Sequence, residues 1–77
     1  MKLGHEGLAI FNEIAECGSA NVSNLTEWQQ EFLNSYAEKV DKWGDGCFIT
    51  SKQLVQINKM AEALGCEMIS EEVLDND

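Results

Sequence analysis

The chain has no arginine, no proline and one histidine, and its five basic residues face fourteen acidic ones, a formal net charge of −9. The missing arginine and the sign of the charge argue against direct contact with nucleic acid or anionic membranes, because phosphate is gripped by Lys and Arg. Such a field favours a basic partner. No apolar run approaches the roughly 18 residues a membrane span needs, and the Met1-Lys2 start leads into no long apolar segment of the signal-peptide kind. A soluble, cytoplasmic protein is the expectation. Cys17, Cys47 and Cys66 are odd in number and lack C-x-x-C spacing. That pattern points to reduced thiols and away from a disulfide framework or a zinc site.

Catalytic machinery is also missing. There is no Ser-His-Asp set at usable spacing, no nucleophile elbow, no Gly-rich phosphate loop and no metal cluster, so neither an enzyme nor a cofactor is expected. His5 stands among polar neighbours with no Cys, Asp or second His at ligand spacing and reads as a lone exposed side chain. The three cysteines have no adjacent base and read as apolar thiols. Asn21-Val22-Ser23 and Asn24-Leu25-Thr26 fit a glycosylation triplet, but such triplets arise by chance and need a secreted context.

What is present is helical patterning. Seventy-seven residues allow one domain, which at this size buries about 60% of its unfolded surface and is marginal on its core alone. Leu8, Phe11, Ile14 and Ala15 recur at helical spacing, predicting a first helix from about residues 5–6 to Cys17, with Gly18 as its stop. Thr26, with Gln29 three residues on, caps a second helix over residues 27–43. Thr50 and Gln53 repeat that capping box for a third helix over residues 51–64, with Ile49 and Leu54 as a hydrophobic staple and Gly65 as the stop. Beyond it, residues 67–77 carry five acids and no base and are expected to fray, although Ser70 can cap one short turn. The predicted fold class is all-α: a small three-helix domain over residues 1–66 with an acidic C-terminal tail, or a short fourth helix, over residues 67–77. The predicted core is Phe11, Ile14, Trp28, Phe32, Tyr36, Val40, Leu54, Ile57, Ala61 and Leu64. In this reading Trp28, Phe32, Tyr36, Val40 and Trp43 form one buried stripe along the second helix, since six aromatics are needed to close so small a core.

The opposite face of that helix supplies the candidate partner-binding residues: Glu27, Glu31, Asn34, Glu38 and Asp41, spaced by 4, 3, 4 and 3, with Asp45 just beyond. Like charges at i and i+4, such as Glu27 and Glu31, weaken a helix by about a few tenths of a kcal/mol. A stripe kept at that cost suits an interaction surface, although Glu27 and Glu31 also complement the dipole near the helix start.

Two resemblances bear on function. Asp41, Asp45 and Gly46 match positions 1, 5 and 6 of the calcium loop of the EF-hand family, with Glu31-Phe32 and Lys52-Gln53-Leu54 in the places of its flanking helices. The ligands depart from that pattern. Trp43 stands at position 3, and Lys52, or Gln53 if one residue is inserted, stands where the bidentate Glu belongs, so two carboxylates remain of the six or seven oxygens calcium wants. Gly44-Asp45-Gly46 is also ordinary turn chemistry. Thr26-x-Trp28, Glu31-Phe32-Leu33, Thr50-x-Lys52-Gln53 and Ile57 together resemble a short helix–loop–helix module of small phage and prophage proteins, some of them linked to DNA replication and recombination. It covers roughly residues 25–64. In size and charge the chain is similar to phage-encoded inhibitors of host nucleic-acid machines, anti-CRISPR proteins among them.

These resemblances imply a non-enzymatic inhibitor that occludes a Lys/Arg-rich site on a basic, nucleic-acid-handling host protein. The alternatives are a degenerate EF-hand-like adaptor, calcium-dependent or not, and an accessory module of phage DNA replication or recombination. Duplex mimicry is the weaker mechanism. DNA carries about one charge per 1.7 Å, whereas the four acids of the second helix give roughly one per 5 to 7 Å, and a mimic would need Glu71, Glu72, Asp75 and Asp77 on the same surface.

Overall fold

The computed structural model describes residues 1–75. Among them three helices account for most of the chain: α1 (Gly4–Ala20), α2 (Glu27–Trp43) and α3 (Ser51–Leu64), joined and followed by 3-10 turns at Val22–Asn24, Gly44–Gly46 and Glu71–Val73. The fold is a small all-α domain.

Both capping boxes form as their spacing requires. The Thr26 hydroxyl accepts from the Gln29 N–H at 3.1 Å while the Thr26 N–H donates to Gln29 Oε1 at 2.9 Å, and Thr50 and Gln53 make the same pair at 3.1 and 2.9 Å. Two orphan donors are thereby satisfied at each helix start. At the far end of α3, Gly65 takes the left-handed conformation, with φ 74°, that lets a helix close on its own carbonyls.

Gly18 is a correction. It does not end α1; the helix runs on to Ala20, and Asn21 closes it by donating backbone and side-chain N–H groups to the Cys17 carbonyl at 2.9 and 3.0 Å. Gly18 is instead the point of closest approach between helices. A Cβ there would lie 2.5 Å from Leu33 Cδ2, so the absence of a side chain on α1 is what admits Leu33 of α2.

The core gathers Leu3, Phe11 and Ile14, Leu33, Tyr36 and Val40 of α2, and Leu54, Ile57, Met60 and Ala61 of α3. Trp28 and Trp43, expected inside, are 54% and 61% exposed, and Phe32 and Leu64 are only partly buried. The buried direction of α2 points between Leu33, Tyr36 and Val40, which at about 100° per residue is turned by roughly 50° from the expected stripe. The aromatics therefore climb out of the core. Tyr36 meets Phe11 edge to face at 5.2 Å, stacks on Phe32 at 6.2 Å, and Phe32 stacks on Trp28 at 5.4 Å.

The segment after α3 does not fray within the described residues. Ile69 and Leu74 are buried with the core. Asn58 of α3 holds Ile69 in both directions, donating Nδ2 to its carbonyl at 2.9 Å and accepting its N–H on Oδ1 at 2.7 Å. Ser70 caps the short turn by accepting from Glu72 at 3.3 Å. Lys2 then exchanges both backbone hydrogen bonds with Asp75, each 2.9 Å, while Leu3 donates to Cys47 at 3.0 Å and Ile49 donates to Met1 at 2.9 Å. Residue 2 thus bridges residues 48 and 75 in an antiparallel sense, which ties both ends of the described chain to the α2–α3 corner. Asp77 lies outside the described residues.

Candidate interaction surfaces

Glu27, Glu31, Asn34, Glu38 and Asp41 are all exposed and share one flank of α2, while exposed Asp45 stands off the helix in the Gly44–Gly46 turn. Among the described residues none of their carboxylates has a lysine partner within ion-pair distance. Lys42, four residues after Glu38, lies instead over the Trp43 ring, 5.4 Å from its centroid. The flank therefore presents uncompensated negative charge to solvent.

Asp41 belongs to α2, so the segment that resembles a calcium loop is helical over residues 41–43. Among the described residues no group of three His, Cys, Asp or Glu side chains is placed to hold a metal ion. No helix of the described residues is long and apolar enough to cross a membrane. His5 is exposed at the start of α1.

A second surface lies at the α2–α3 corner, where the sequence suggested a turn, a helix start and a calcium-loop resemblance but no aromatic pocket. Trp43 and Phe48, 61% and 68% exposed, flank a pocket of about 390 Å3 that Lys39, Gly46, Cys47, Thr50 and Gln53 also line. Lys2 lies 5.7 Å from the Phe48 ring centroid. Behind this pocket the wall is fixed. Tyr36 donates its hydroxyl to the Phe48 carbonyl at 2.8 Å, and the Cys47 thiol contacts the same oxygen at 3.6 Å. Burial first, and then the neighbouring Cys47 thiol, pushes the Tyr36 phenol far above its usual range, so it stays a neutral donor. Two signals in the sequence could have located this corner: Leu33 beside Phe32 turns the apolar face of α2 away from Trp43, and Phe48 sits between buried Cys47 and Ile49 in an extended link whose side chains alternate.

The thiols are not all solitary. Cys17, near the end of α1, and Cys66, just after α3, are both half-buried; the Cys17 thiol, with some burial and the charge of Glu13, pushes the Cys66 thiol up to about 11, and Cys66 Sγ lies 4.0 Å from the Leu64 carbonyl.

Compared with known protein families, with curated proteins and with solved structures, the chain matches none.

Proposed function

We propose that this chain is a non-enzymatic interaction module that meets a basic, nucleic-acid-handling protein through the outer flank of α2 and inhibits it by occluding its Lys/Arg-rich site, in the manner of small phage-encoded inhibitors. The observation that carries the reading is the exposure of Glu27, Glu31, Glu38 and Asp41 on one side of α2 with none of them in an ion pair among the described residues. Opposite charges across an interface speed encounter and fix register. A helix held by a capping box and a packed inner face presents them already ordered, which lowers the entropic cost of docking.

The test compares the parent with the Glu31→Lys/Glu38→Lys variant as bait in a host lysate, at low and physiological salt. The reading expects a basic protein that the parent retains, that salt releases, and that the variant loses. The retained protein should also lose its own nucleic-acid binding when the parent is added. Capture of the same proteins by both baits would move the contact off α2.

A further inference from the structure

Net charge describes the molecule from afar, and the lysines are not spread evenly over it. Lys39 lines the Trp43–Phe48 pocket one helical turn before Trp43, Lys42 covers the Trp43 ring at 5.4 Å, and Lys52 sits beside Val55 in an open hollow two residues after Thr50. Among the described residues no carboxylate lines the pocket; the nearest in sequence, Asp45, is exposed in the turn beside it. At about 100° per residue the acidic flank of α2 is centred roughly 160° from Trp43, on a helix about 10–12 Å across, with Lys42 between the two. At physiological ionic strength the screening length is about 8 Å, so a ligand at the corner feels the adjacent lysines more than those acids.

From this juxtaposition we propose that the α2–α3 corner is a binding site for single-stranded nucleic acid, with a base stacked at Trp43 and Phe48 and the flanking phosphates met by Lys39, Lys42 and Lys52. The ligand chemistry follows from the surface. Two aromatic side chains on neighbouring elements, each more than half exposed and each with a lysine over one face, offer their other faces to unstacked bases, and the ammonium groups serve the backbone. An acidic peptide would match the lysines but brings no π-face to each ring. The pocket volume of about 390 Å3 falls in the range of sites for small ligands, about 300–1,000 Å3. Gly46 leaves the pocket open: among the described residues nothing lies within 4 Å of a Cβ built there, and its φ is not positive. This site goes beyond the acidic-flank reading and does not depend on it.

The experiment uses the chain alone, in a Trp28→Phe background that leaves Trp43 as the one tryptophan of the two. Tryptophan emission is followed as an oligothymidylate of about 15 nucleotides is added at low salt, and anisotropy of the labelled strand is read for every variant. Quenching that saturates is expected. Trp43→Ala and Phe48→Ala should each weaken binding by about five- to 150-fold, the value of one stacked base. Gly46→Leu, which fills the pocket without removing any of its residues, should abolish binding while leaving the circular dichroism spectrum intact. Lys39→Gln should lower the salt slope by about 0.7. No binding at about millimolar strand, or variants indistinguishable from the parent, overturns the proposal. Equal binding of poly-glutamate that Gly46→Leu abolishes overturns it in favour of an acidic peptide, and equally tight binding of thymidine monophosphate does so in favour of a free nucleotide. Because no partner protein is in the assay, failure here leaves the acidic-flank reading standing, and failure of that reading leaves this one standing.

Discussion

Gly18 of α1 and Leu33 of α2 meet so closely that a methyl group added to the first would fall 2.5 Å from Cδ2 of the second, with Leu25 and Leu64 at 3.5 and 3.8 Å behind it. Gly18→Ala should therefore destabilise the fold even though alanine favours a helix by about 1 kcal/mol over glycine. The crowding costs about 1–3 kcal/mol in a packed core, so a net loss of about 1 kcal/mol is expected in urea titrations. Gly46→Ala meets no neighbour and should raise stability by about 0.4–1 kcal/mol by restricting the unfolded chain. The reverse order of the two would show that α1 and α2 can move apart freely.

The aromatic ladder gives a graded series. Phe11→Ala should cost about 3–5 kcal/mol, since Phe11 is fully enclosed and touches Tyr36 edge to face. Phe32→Ala should cost about half as much, because Phe32 is only partly buried, and Trp28→Ala should stay within about 1 kcal/mol. Chemical denaturation of the three variants separates these outcomes, and equal costs for Phe32 and Phe11 would return the core to the stripe expected from spacing.

Asn58→Ala removes both hydrogen bonds to Ile69 and should cost about 2–3 kcal/mol, since it strands a backbone N–H and carbonyl in a half-buried place. Its signature should be local. Limited proteolysis is expected to cut after residue 66 in the variant well before it cuts α1 or α2, and a uniform digestion pattern would contradict the latch.

Stability should fall in alkali through Cys66. Its thiol is raised from an ordinary value of 9.0 to about 11 in the folded chain, so between those values the folded state holds a proton that the unfolded state releases. The contribution is fully present below about pH 9 and is lost as the pH rises through about 11. Tyr36, raised mainly by burial, adds to the loss above about pH 10, where an unfolded tyrosine ionises. Urea midpoints at pH 8, 9.5 and 11 should decline, and Cys66→Ser should flatten the first part of that decline. At pH 8 Cys66 should also alkylate far more slowly than a free cysteine, as peptide mass spectrometry of iodoacetamide-treated protein can show.

The parts of the fold that the sequence displayed are those decided within four residues. Thr26 with Gln29 and Thr50 with Gln53 each form a reciprocal pair inside one turn, which is why the starts of α2 and α3 were legible to the residue. Gly18 misled because a glycine beside a periodic segment looks like a stop, whereas its role is set by Leu33, fifteen positions away. The order of residues 67–75 was hidden for the same reason. Acidic composition suggested fraying, but Asn58 reaches across eleven positions to Ile69, and Leu74 lies 3.1 Å from where a Gly7 Cβ would be. For the surfaces, the exposure of Glu27, Glu31, Asn34, Glu38, Asp41 and Asp45 followed from periodicity and turn chemistry. The Trp43–Phe48 corner did not, because apolar spacing says that one face of a helix is covered but not which edge residues the cover fails to reach.

The pairing of Lys2 with Asp75 carries a consequence for the order of events during synthesis. Leu3 is fully enclosed, yet its surroundings include a bridge to residue 48 and another to residue 75. A nascent chain emerging from the ribosome can wind α1, and later α2, while Leu3 and the first turn of α1 still lack their floor. That floor arrives last, with the contact of greatest sequence separation, and such contacts slow folding because the long loop must close before they reward it. The domain should therefore pass through a stage in which its helices are formed but its first residues are still open to proteases and chaperones, and translation must run to residue 75 before the N-terminal segment is sealed.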